Sequence, residues 1–238
     1  MITFRQHLEI SRYLSDNDSI YGYLEKLNPA QRISVIREIP NVYPLKEPIS
    51  GHFDALDKFN CYMSVDELVL GQFIMIEQII TGKTNYSSSS QNDFEIAKLL
   101  MRPKEHIVFD NEDQELEAKN GEDILDTDVL EVYSVLQRFL NNREIVLFKQ
   151  FKGVFYEVPD EEDFVEDEEH MEKTGEAIFQ QQWYWYSMVR MLAREDITKY
   201  DEIYMLKMST VMPEMSYLAQ KSKIESARQR QSQALRKL

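Results

Sequence analysis

The side chains able to do chemistry are few and widely spaced. Four histidines stand at 7, 52, 106 and 170, and a metal site would need several such ligands at a spacing that aims them at one point. Neither an HExxH pair nor any other ligand spacing is present. Cys61 is the single cysteine, which excludes an intrachain disulfide and a cysteine-based zinc site. As a nucleophile it would need a base and an orienting group, and Tyr62 and Met63 beside it supply neither, so it reads as a half-buried thiol. Glu67 and Glu77 share one helical pattern but lie about three turns apart, too far to work as an acid–base pair. The seven glycines form neither GxGxxG nor GxxxxGK[ST]. The chain therefore reads as a non-enzyme with no cofactor and no metal, leaving open only carboxylates brought together from distant segments.

Charge and aromaticity are where the sequence is unusual. Residues 157–172 hold ten acidic side chains, one histidine and no lysine or arginine. Like charges at this density repel and keep a segment solvated, and the EF-hand order with its central glycine is missing. QQQWYWYSMVRMLA comes next, at 180–193. In a helix, Ile178, Trp185, Val189 and Leu192 trace one stripe, while Phe179, Trp183 and Tyr186 trace a second beside it. A helix apolar over most of its circumference must be covered over most of it. Base stacking normally comes with a positive groove, and the flanking charge has the wrong sign. The reading is a helix held between the chain's own core and a partner.

A second helical pattern supports it. Tyr204, Met208, Val211, Met215 and Leu218 recur at four, three, four and three residues, the seam of two packed helices. Methionines at 205, 208, 212 and 215 suit either a core or a surface that adapts to varied partners. Phe179, Trp183, Tyr186, Met208, Met212 and Met215 are the candidate partner-binding residues, some of them serving the core as well. Pro213 implies either a fresh helix capped by Thr210 or a kink in one long helix. Residues 221–238 invert the charge, with six basic side chains and one acidic, and could pair with 157–172 or touch another molecule.

The elements that carry these residues read as mainly α with a small β-hairpin insertion. Residues 1–40 form a helical arm, in which Asn28 caps a helix with Pro29 at its first position. Prolines at 40, 44 and 48 break any helix there. A main helical domain spans 50–220. Within it, Ser64 and Glu67 make a capping box and Gly82 a C-terminal stop, with Gly71 between them marking close approach of another helix. Asp93 is placed as the cap of a helix over FEIAKLLM, and Asp126 or Thr127 as the cap of one with Val129, Val132, Leu136 and Phe139 on its face. Alternation over 105–118 predicts a hairpin, and 144–158 fits strand or helix. The net charge of −15 argues against a general nucleic-acid binder. No signal-peptide pattern or long apolar run is found, which reads as an intracellular protein outside the membrane.

FDALDKFNCYMSVDELVLGQFIMIEQIITG, the IAKLLMRP after it, and MVRMLAREDITKYDEIYMLKMSTVMPEMSYLAQK together resemble the tail assembly chaperones, or related tail-module proteins, of tailed bacteriophages. The likeness covers roughly 50–220. It is most evident in GQFIMIEQ, Arg102–Pro103 and LAREDITKYDEIY. It implies a mainly helical, non-enzymatic protein in the host cytoplasm that binds the tape-measure protein and keeps it soluble during tail assembly, with self-association open. The alternative is a structural component of the virion, in the tail, baseplate or head–neck, packed through the same aromatic and Met-rich helices. The acidic 157–172 and the N-terminal arm lie outside the resemblance.

Overall fold

A computed structural model describes residues 2–15, 24, 26–42, 55–82, 89–104, 114–151 and 175–235. The acidic run 157–172 lies outside the described residues. The chain is mainly helical, with one small antiparallel sheet. It divides into two compact units, Met1–Ser64 with Met75–Asn142, and Val65–Ile74 with Arg143–Leu238.

In the first unit, α1 (Phe4–Ser15) begins at a capping box. The Gln6 amide N–H donates to Thr3 Oγ1, and the Thr3 N–H donates to Gln6 Oε1. α2 (Pro29–Val42) starts the same way, with Asn28 and Gln31 exchanging side-chain caps across Pro29. The short α3 (Ala55–Lys58) leads into β1 (Phe59–Cys61). This strand pairs with β2 (Met101–Pro103) in the register Phe59 to Pro103 and Cys61 to Met101. The remaining helices are α4 (Leu70–Ile80), shared by residue membership between the units, α5 (Ser89–Leu100), α6 (Gln114–Leu125) and α7 (Val129–Glu144).

Val129, Val132, Leu136 and Phe139 are all buried, as their spacing predicts. Asp128, not Asp126 or Thr127, caps α7: its carboxylate accepts from the Leu130 N–H at 2.8 Å. Thr127 instead donates its hydroxyl to the Asp123 carbonyl. The N-terminal strand-like residues dock on the same corner, with Phe4 N–H donating to the Thr127 carbonyl and Val129 N–H to that of Ile2.

The sheet lies at a different place from the predicted hairpin. Residues 105–113 lie outside the described residues, and 114–118 open α6 rather than a strand. The apolar and acidic alternation of QELEA is also compatible with one face of a helix, and helix prevails. Ile145–Gln150 is a π-helix, closed by the Phe151 N–H donating to the Val146 carbonyl; the rest of the predicted 144–158 ambiguity lies outside the described residues beyond Phe151.

The second unit is built on α8 (Gly175–Leu192), α9 (Tyr200–Tyr204) and α10 (Met208–Leu235). Its core gathers Val65, Leu68, Leu70, Phe73, Val146, Leu147, Met188, Val189 and the methionines of α10. Val69 bridges Lys207, with Leu70 N–H donating to the Leu206 carbonyl and Met208 N–H to that of Leu68. This bridge explains why α4 starts at Leu70. Val65–Glu67 closes instead as a 3₁₀ turn, so the long helix does not begin at the predicted Ser64–Glu67 box. α10 is one helix with Pro213 inside it, starting two residues before the predicted Thr210 cap.

Candidate functional site

The WYWY segment is divided by the helix it lies on. About 200° separates residues two apart, and α8 uses this to send one tryptophan inward and one outward. Trp185 packs edge-on against Phe73, with ring centroids 5.6 Å apart and planes at 85°. Met188, Val189 and Ala193 on the same side are buried. Trp183 and Tyr186 face outward and remain 42% and 43% exposed. Phe179 lies on α8, but its side chain is outside the described residues.

The chain beyond α8 turns the outward pair into a surface. The helix ends in two consecutive left-handed residues, Arg194 at φ 53° and Glu195 at φ 65°. The Glu195 N–H donates back to the Arg190 carbonyl at 2.8 Å, which satisfies one of the terminal carbonyls. Asp196 then caps the 3₁₀ turn Ile197–Lys199, accepting from both the amide and the hydroxyl of Thr198. Those two bonds hold its carboxyl below the usual range. The reversal brings α9 back along α8. Tyr200 meets Tyr186 edge-on at 6.0 Å, and Tyr186 meets Trp183 edge-on at 5.6 Å.

The result is a ladder, Trp183–Tyr186–Tyr200, in the edge-to-face geometry that the ring quadrupole favours by about 0.5–1.5 kcal/mol per pair. The Tyr200 phenol is held above its ordinary pKa by partial burial, by its hydrogen bond with Tyr186 and by the neighbouring phenols, against the opposing pull of Arg190. Tyrosine, tryptophan and arginine are the side chains that dominate protein interfaces, because they present large rigid area at little entropic cost.

The methionine candidates are placed differently. Met208, Met212 and Met215 are buried in the second unit, so a partner could reach them only by opening its core. Their four- and three-residue spacing marks a core seam. Met205, outside that seam, is exposed.

The first unit holds a polar constellation that local spacing cannot show. His7 Nε2 lies 3.0 Å from the Tyr133 hydroxyl, which donates to Asp93 Oδ2 at 2.7 Å. With its proton given to the carboxylate, the phenol oxygen is left as acceptor for a His7 Nε2–H. Burial pushes His7 down to about 4 and raises the Asp93 carboxyl, whose bond from Tyr133 acts in the opposite direction. Phe4 packs against both the His7 and Tyr133 rings. The arrangement ties α1, α5 and α7 together. Asp93 sits within α5, not at its cap, because that helix begins four residues earlier.

The remaining reactive groups are quiet. Burial, together with the charge of Glu131, raises the Cys61 thiol to about 11, so it is not a thiolate at neutral pH. Arg102, on β2, is buried and ion-paired with Glu117. Among the described residues no three His, Cys, Asp or Glu side chains gather as metal ligands, and no helix is long and apolar enough to cross a membrane. Comparison with protein-family models, curated proteins and solved structures finds no match.

Proposed function

We propose that this chain is a non-enzymatic assembly protein that binds a protein partner through the Trp183–Tyr186–Tyr200 face. The carrying observation is that two large aromatic rings stand exposed while packed edge-on against each other, one of them also edge-on against Tyr200. A rigid apolar surface of this kind is costly to leave in water and ready-made for burial. The resemblance to phage tail assembly chaperones supplies the partner class, the tape-measure protein. A virion structural component is the second reading. It is favoured by the burial of Met208, Met212 and Met215, which leaves a fixed aromatic face suited to one defined neighbour.

Affinity capture of the chain from infected cells, with mass spectrometry of purified particles, separates the two. A chaperone recovers the tape-measure protein and is depleted from finished particles. Fixed copy number in particles, with no tape-measure protein captured, would end the chaperone reading. Trp183→Ala should weaken capture by about tenfold or more, as expected for an interface anchor, in a variant that circular dichroism shows to be folded, because the 42% exposed indole is also partly packed. Unchanged capture by that variant would remove the aromatic face from the argument.

A further inference from the structure

We propose that the exposed stretch of α10 from Tyr217 to Arg228 is a docking strip for an acidic amphipathic helix of a partner protein. This surface is distinct from the aromatic face, and the proposal stands without it. Among the described side chains of α10, Met215 is the last that is fully buried, and every side chain from 220 to 228 is exposed. The helix continues to Leu235, about 16 residues or roughly 24 Å beyond Ala219.

The exposed part is patterned. Tyr217 and Ile224 lie one heptad apart and are 60% and 54% exposed. Gln220 and Ala227 fall on the same strip at about 100° per residue. Tyr217 is about 200° round the helix from Met215. The strip therefore faces away from the side that Met208, Val211, Met212 and Met215 bury. Lys221 and Arg228 border it on one side, Lys223 on the other. Residues 221–230 hold four basic side chains and only one acidic, Glu225, which reaches Lys221 at 4.0 Å.

Charge decides the occupant. The same strip of a second copy laid against this one would set basic borders against basic borders. A partner helix with an apolar seam and glutamates beside it is matched on both sides, as in charge-specified coiled coils. Alanine and glutamine at alternate seam positions allow close approach but bury little apolar area, so the pairing depends on charge and weakens as salt rises. Nucleic acid would use the lysines and arginines but has no use for Tyr217 and Ile224 between them.

The test uses the full chain and three labelled probes in fluorescence anisotropy: a three-heptad synthetic helix with a Leu/Ala seam and Glu flanks, the same seam with Lys flanks, and duplex DNA. The Glu-flanked helix should bind, and the Lys-flanked one should not. Lys221→Glu with Arg228→Glu should weaken the Glu-flanked probe about tenfold and reverse the preference. Ile224→Gln should weaken it without reversing it. Circular dichroism should be unchanged in each variant, since all these side chains lie outside the core. The proposal is overturned by no binding of the Glu-flanked helix, by equal binding of both helices, or by DNA competing for the strip. A doubling of mass in sedimentation that Ile224→Gln abolishes would assign the strip to a second copy and overturn it too.

Discussion

His7 is a neutral imidazole in a place where charge is costly. Its folded pKa of about 4 lies below the ordinary 6.5, so the folded state holds fewer protons than the unfolded chain between those values. The stability this contributes is fully present above about pH 6.5 and is lost as pH falls toward 4, to the order of ~3 kcal/mol when complete. Asp93 acts with the opposite sign. Its raised carboxyl takes up a proton more readily when folded, and so offsets part of the loss in acid. Thermal unfolding followed from pH 7 to 4.5 should therefore show a fall that His7→Gln flattens and Asp93→Asn steepens. Parallel curves for the three proteins would mean that the network does not set the acid response. None of this is legible in the sequence, because residues 7, 93 and 133 meet only after three helices pack.

Local signals serve best where they are satisfied by the next few residues. Asn28 and Pro29 start α2 as their types predict, and Gly82, at φ +69°, stops the turn after α4. Such signals fail where a distant strand of chain competes, as at Ser64, where the bridge from Val69 to Lys207 delays the helix. Gly71 shows the intermediate case. Its position predicts close approach, and Tyr204 provides it: a Cβ at this position would meet its carbonyl oxygen at 3.4 Å and its Cβ at 3.6 Å. That is ordinary contact, so alanine fits and larger side chains do not. Gly71→Ala should hold or raise stability by up to about 1 kcal/mol, the helix-propensity difference, whereas Gly71→Leu should lower it by about 1–3 kcal/mol through overpacking. Urea unfolding of the two variants checks this, and a destabilised alanine variant would show that the approach is tighter than the backbone indicates.

At the scale of the whole chain, Val65–Ile74 groups with Arg143–Leu238, a stretch remote from it in sequence. Composition could not announce this, since the link is made by main-chain bonds of Leu68 and Leu70 to Met208 and Leu206, and main-chain bonds leave no side-chain signature. Charge is legible: the basic 221–238 stands against a net −15. That this stretch continues α10 as far as Leu235 is less so, because its apolar positions are sparse. Its exposure carries a stability prediction. A chain ending at Ala219 should unfold within about 0.5–1 kcal/mol of the full protein, with little change in denaturant dependence, since every side chain described beyond Ala219 is exposed. A larger loss would place residues beyond 219 in the fold's core energetics.

The π-helix at Ile145–Gln150 has a consequence for how this chain can be lined up with others. Its Phe151 N–H reaches back five residues to Val146, one more than an α-helix needs. Such a turn is an α-helix carrying one extra residue, accommodated locally as a bulge. A related chain one residue shorter between 144 and 151 would form a plain α-helix there and keep Val146 and Leu147 equivalents facing inward. An alignment that forbids a single-residue gap in this stretch would put everything after it out of phase by about 100°, and would hide kinship in the half of the protein that holds its aromatic ladder.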